Sequence, residues 1–179
     1  MNRLSRATGV RALAAAVLLA WIWPLTAGAE QVSERIRAAY RPSTPPAQLT
    51  ELAHDRDPRV RVAVAGNRRT PPKVLADLAG DPDEQVRITI ATNLSTPYET
   101  FLQLASDPVT AVRSVVARFE YVPAAALDKL SMDPDPGIRL EVARNLNTRK
   151  KTLQRLTKDE YEDVRNMAMR RLSEEEDEP

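Results

Sequence analysis

From Leu49 onward the apolar positions come in two short stripes separated by polar breaks. Leu49, Leu52 and Ala53 stand at i, i+3 and i+4, the spacing that lines one face of a helix, and Val60, Val64 and Ala65 form a second such stripe. Asp57-Pro58 lies between them and predicts a break and restart of the chain. The second stripe returns as Val86, Ile90 and Ala91 and again as Val112, Val116 and Ala117, each set 26 residues after the last. The same step of 26 links Leu52, Leu78, Leu104, Leu130 and Leu156, and Thr44, Thr70, Thr96, Val122 and Thr148. A fixed period of this length is the signature of a repeat array, and five units without insertion run from Thr44 to about Leu172.

Within a unit, Thr44-Pro45-Pro46 and Thr70-Pro71-Pro72 predict a threonine N-cap before proline, and Thr96-Pro97-Tyr98-Glu99 has capping-box spacing. Asp81-Pro82, Asp107-Pro108 and Asp133-Pro134 repeat the interhelical break. Asn67, Asn93 and Asn145 fall at the end of the second stripe, where asparagine suits a left-handed C-cap. Each unit is therefore read as two helices of about two turns, too short to persist alone and dependent on stacking.

The pattern T-P-x-x-x-L-x-x-L-A-x-D-x-D-x-x-V-R-x-x-V-A-x-N, from Thr44 to Asn67 and with small changes from Thr70 to Asn93, resembles the leucine-rich repeat variant family. Its Asp-Pro-Asp-x-x-Val-Arg portion is also similar to HEAT-like repeats, whose units of about 40 to 47 residues are longer. The resemblance implies an all-α, right-handed α-solenoid with one 3₁₀ helix per unit. A prototype of that family carries a cysteine-bound iron–sulfur domain before its repeats. This chain has no cysteine, so no redox function, disulfide or thiol chemistry follows.

Ahead of the array, Arg3, Arg6 and Arg11 precede an uncharged run from Ala12 to Ala29, and Ala27-Gly28-Ala29 supplies a signal-peptidase site. Residues 1–29 are thus expected to be a secretory leader that sends the protein out of the cytoplasm, into the periplasm in a two-membrane cell. An uncleaved segment would instead anchor the chain to the membrane. Residues 30–43, with Val32, Ile36, Ala39 and Tyr40 at helical spacing, predict a capping helix, residues 44–172 the solenoid, and residues 173–179 an acidic disordered tail. The tail holds five carboxylates, and residues 30–172 hold 23 basic and 20 acidic side chains. That balance lacks the basic stripe of a nucleic-acid binder.

Two charged columns keep the same period: Asp55, Asp81, Asp107, Asp133 and Asp159, and Arg61, Arg87, Arg113, Arg139 and Arg165. A side chain kept in every unit makes the same contact in every unit, so both columns are read as structural, aspartate capping turns and arginine reaching the next unit. Binding is expected instead on positions that vary along the second helix. These run Val62, Ala63 and Gly66; Ile88, Thr89 and Thr92; Ser114, Val115 and Arg118; Leu140, Glu141 and Arg144; Asn166, Met167 and Arg170. Arg118, Arg144 and Arg170 would take carboxylates, beside apolar Val115, Leu140 and Met167. The competing reading makes them ordinary solvated helix residues, with some of the apolar ones in the core.

Catalysis finds little support. His54 is the single histidine and its column mates are Gly80, Ser106, Met132 and Lys158. A zinc site would lack its usual partners, and Asp133-Pro134-Asp135-Pro136-Gly137 lacks EF-hand spacing. No catalytic residue, metal or cofactor is assigned. The expected function is an exported, non-catalytic interaction or scaffold module for a protein or acidic peptide in the cell envelope. The rivals are an envelope enzyme or enzyme subunit acting on a polymer, and a structural assembly subunit. Arg149, Lys150, Lys151 and Arg155 form a basic cluster read as a polar cap of the array.

Overall fold

The computed structural model describes residues 30–176, all of whose regular elements are helices. Helix α1 covers residues 30–40. Five pairs follow: α2 (Pro46–Leu52) and α3 (Pro58–Gly66), α4 (Pro72–Leu78) and α5 (Glu84–Ile90), α6 (Tyr98–Leu104) and α7 (Thr110–Arg118), α8 (Ala124–Leu130) and α9 (Pro136–Arg144), α10 (Lys150–Leu156) and α11 (Glu162–Glu176). The expected leader, residues 1–29, and the last residues of the tail, 177–179, lie outside the described region. Among the described residues no helix is long and apolar enough to cross a membrane.

One apolar core runs the length of the array, with Leu49, Leu75, Leu104 and Leu127 from first helices and Val64, Ile90, Val116 and Val142 from second helices fully buried. Second helices pack on one another in sequence, α3 on α5, α5 on α7, α7 on α9 and α9 on α11, more extensively than first helices meet. This is an all-α solenoid of stacked two-helix units. Both helices of every unit are α-helical, so the 3₁₀ helix implied by the family resemblance is absent from the described units.

Local chemistry differs from expectation at two caps. The threonines are not N-caps: Pro45, Pro71 and Pro97 hold that position in extended conformation. The residue after each threonine stays extended, before Pro46 and Pro72 and equally before Tyr98, so the helix starts one residue beyond the reach of the threonine side chain. The hydroxyls donate backward instead, Thr70 to the Val64 carbonyl at 2.6 Å and Thr96 to that of Ile90 at 2.7 Å. The capping box at Thr96 and Glu99 is not formed, since α6 has no side-chain cap. The asparagines are not left-handed either, with φ of −78° at Asn67 and −67° at Asn145. Their amides are used between units: Asn93 Nδ2 donates to the Ala65 carbonyl at 2.6 Å and to that of Asn67 at 3.1 Å, while its Oδ1 accepts from Ser95 N–H at 2.8 Å. Asn67 and Asn145 repeat the arrangement.

The ends are built from modified units. Helix α1 is the second helix of a partial unit, because Arg35 stands 26 residues before Arg61 and its Nε donates to Asp55 at 2.6 Å. Ala39 is buried there while Tyr40 is exposed. At the other end Arg171 replaces asparagine and donates to the carbonyls of Arg144 and Asn145 at 3.0 and 3.1 Å. Helix α11 continues to Glu176, past the point where a disordered tail was expected. Arg170 and Arg171 hold that last stretch through Glu174, at 3.0 and 3.7 Å, as helical neighbours three or four apart do.

Candidate binding face and the ladders beneath it

The two charged columns meet at the interhelical turns. Arg61 Nε and Nη2 donate to the two carboxylate oxygens of Asp81 in the next unit at 2.7 and 2.9 Å, and its Nη1 donates to the Asp55 carbonyl in its own unit at 2.8 Å. Arg87 with Asp107, Arg113 with Asp133 and Arg139 with Asp159 repeat this fork. Each receiving aspartate also takes a backbone N–H two residues on, as Asp81 does from Asp83 at 2.9 Å. Burial alone would raise the carboxyls of Asp81 and Asp107, but the arginine fork and the backbone amide outweigh it and hold both below the ordinary 3.8. The same groups lower Asp55, and the Arg139 fork lowers Asp159. Arg165 closes the series on the carbonyls of Asp159 and Glu160 at 2.8 and 2.9 Å. These arginines and aspartates tie units together and leave little surface for a partner.

A second aspartate column, two residues on, caps the second helices: Asp57, Asp83 and Asp135 accept from Arg59, Gln85 and Gly137 N–H. The Arg59 guanidinium folds onto Asp57 and holds its carboxyl down to about 2. The two arginines of the basic cluster are occupied as well. Arg149 meets Asp128 at 2.8 Å, Thr152 bonds the same carboxylate, and Arg155 reaches Ser131 and the Asp128 carbonyl, bracing α10 against α8.

The variable column lies on a different face. Its members run Tyr40, Gly66, Thr92, Arg118, Arg144 and Arg170 at steps of 26. Space above Gly66 is bounded by Thr89 Cγ2 and Tyr40 Cε1, 3.5 and 3.9 Å from where a Cβ would stand, so each unit's column abuts the next unit's second helix. Arg118, Arg144 and Arg170 are exposed. Val115, Leu140 and Met167 are half-buried and pack against the core, leaving only their edges on the surface. Ala63, expected on this face, is fully buried, because it lies in the contact between second helices.

Two separate depressions result. Leu140, Arg144, Asn166, Met167 and Arg170 surround one with Asp163, a hollow of about 420 Å³. Val115 and Arg118 line another of about 420 Å³ with Thr92, Phe119 and Glu120. The arginines are not equivalent: Arg144 is engaged by Glu141 at 3.1 Å and Arg170 by Glu174 at 3.0 Å, both exposed pairs, while Arg118 has no ion pair among the described residues. His54 lies elsewhere, exposed beside Asp55, Arg61, Asp77 and Asp81 at the turn between the first two units. No group of three or more His, Cys, Asp or Glu that could hold a metal occurs among the described residues.

Residues 33–94 match the family model of the leucine rich repeat variant domain. Over that stretch the sequence is similar to leucine-rich repeat variant repeats. The residues matched span α1 to the turn after α5, so the partial unit at α1 falls within the variant-repeat sequence. A solved structure described as a leucine-rich repeat variant with a novel repetitive protein structural motif is 26% identical, with a TM-score of 0.37. That match covers 75% of this chain and 64% of the other, so the chain spans less than two thirds of that protein's length. No curated protein matches the chain.

Sequence reasoning missed Arg35 and Phe119. The signal for the first was plain, an arginine one period before Arg61 in the segment assigned only to capping. The signal for Phe119 was an aromatic residue in a column otherwise held by Asn67, Asn93, Asn145 and Arg171.

Proposed function

We propose that the protein is an exported, non-catalytic interaction module that holds an acidic protein segment along its second-helix face. The observation that carries this reading is the pairing of Arg118, Arg144 and Arg170 with the exposed edges of Val115, Leu140 and Met167 in two hollows of one face. Arginine forks select carboxylates by bidentate geometry, and partly exposed apolar edges add area that a partner covers. The leader-like sequence of residues 1–29 supports export and a partner in the cell envelope, periplasmic where there are two membranes. The near-balanced charge of residues 30–172 supports a protein partner over nucleic acid.

The test is affinity capture from an envelope extract with wild type and an Arg118/Arg144/Arg170 triple-alanine variant of equal thermal stability. A protein retained by wild type and lost by the variant supports the reading. Identical retention contradicts it and moves attention to the ends of the array or to self-assembly. A polymer processed during incubation would favour an enzyme.

A further inference from the structure

The unit beginning at Thr96 departs from the others at three tying positions together. Where Asp57, Asp83 and Asp135 cap their second helices, α7 starts from Val109 with no side-chain cap. Where the other units have threonine closing the turn, the next boundary has Val122. Where an asparagine or Arg171 reaches back to the preceding unit, this unit has Phe119.

The consequence falls on Ala91. At the equivalent positions, the carbonyls of Ala39, Ala65 and Ala117 each accept an asparagine amide. Ala91 is fully buried, and among the described residues its carbonyl receives no side-chain donor. A buried acceptor left without its partner costs stability. In keeping with the lost ties, α5 and α7 touch less extensively than the other pairs of second helices.

What the junction has instead is an aromatic surface. Phe119 stacks on Phe101 with centroids 5.8 Å apart and meets Tyr121 edge-on at 5.7 Å. The hollow beside it contains Arg118, the column arginine without an internal ion pair. The neighbouring Glu120 carboxylate raises the Tyr121 phenol above its ordinary value. Local rules of sequence and structure are broken mainly where function requires it. Here the break in the ladders, the aromatic wall and the free guanidinium coincide.

We propose that the α5–α7 junction is the anchoring pocket for the acidic segment, seating an aromatic side chain against Phe119 and Val115 while an adjacent carboxylate pairs with Arg118. The inference rests on the binding face proposed above and names its specificity: a peptide with an aromatic residue set among acidic ones. The hollow, about 420 Å³, is large enough for one such ring.

Fluorescence anisotropy on the full chain tests it with two labelled peptides, Glu-Glu-Phe-Glu-Glu and Glu-Glu-Ala-Glu-Glu. Wild type is expected to bind the phenylalanine peptide about tenfold more tightly, the scale of one aromatic contact. Phe119→Asn removes that preference while keeping thermal stability, because the amide restores a donor to Ala91. Phe119→Leu, an apolar replacement that keeps the fold, also loses most of the preference. Arg118→Ala weakens both peptides. Equal binding of the two peptides by wild type, or a Phe119→Asn variant that still discriminates between them, overturns the pocket. If the triple-alanine variant still loses both peptides in that case, the broader face reading survives. Binding of neither peptide overturns the chemistry assigned to the pocket, and the capture experiment then decides the face separately.

Discussion

The α7–α9 and α5–α7 junctions are built from equivalent second helices in the same register, yet different forces hold them. Across the first, the Arg113–Asp133 fork secures one end and Asn145 secures the other through the carbonyls of Ala117 and Phe119. Across the second, the Arg87–Asp107 fork remains, but the asparagine is replaced by Phe119. The regular junction has a directional lock at each end, whereas the irregular one has a lock at one end and an aromatic surface at the other. In an array stabilised by nearest-neighbour terms, this difference makes the irregular junction the weakest coupling between units.

The largest effect is expected from the forks. Removing one partner of a buried, bidentate pair leaves the other charge uncompensated, so Arg87→Ala and Arg113→Ala should each cost about 3–5 kcal/mol in urea or thermal unfolding. They should differ in form. Arg113→Ala leaves Asn145 in place and should melt as one transition, while Arg87→Ala removes the remaining fork at the weaker junction and should split the melt in two. Identical single transitions would remove the distinction between the junctions.

Acid comes next. The folded carboxyls of Asp55, Asp81, Asp107 and Asp159 lie below the ordinary 3.8, so their stabilisation is complete above that value and is lost as pH falls through the lower folded values. Stability measured by denaturant titration should hold from neutral pH down to about 4 and then fall steeply. In the Arg87→Ala variant Asp107 loses its fork, so that fall should become shallower.

Asn145→Ala should cost about 1–3 kcal/mol, because two carbonyls lose their donor at once. The reverse change, Phe119→Asn, should be near neutral, lost ring packing being offset by the regained amide bonds. A large loss of stability in Phe119→Asn would show that the ring, and not the hydrogen-bonding pattern, holds the junction. The smallest effect belongs to the exposed pair of Arg144 and Glu141, whose disruption should change stability by less than about 1 kcal/mol.

The solenoid was legible because its period of 26 is uninterrupted and because a helical stripe repeated five times has few other solutions. The caps were less legible. Thr-Pro-Pro satisfies the composition of an N-cap, but the helix starts one residue later, at Pro46, Pro72 and equally at Tyr98, and only the backbone reveals that the hydroxyl turns to a carbonyl behind it. The position of Asn67 at a helix end suggests a backbone conformation, whereas its amide works between units, a long-range contact that local preference does not encode. The binding face was half legible. The arginine column follows from periodicity, but the pairing of Arg144 and Arg170, the burial of Ala63 and the separation into two hollows depend on how adjacent second helices meet.

The columns that hold the array and the column proposed to bind are different residues of the same helices. Arg113 and Arg118 lie on α7 and test this division most directly by thermal melting of their single alanine variants. Arg113→Ala is expected to melt about 10 °C below wild type and Arg118→Ala within about 2 °C of it. An Arg118→Ala variant that melts as far below wild type as Arg113→Ala would contradict the division, by making Arg118 part of the structural framework.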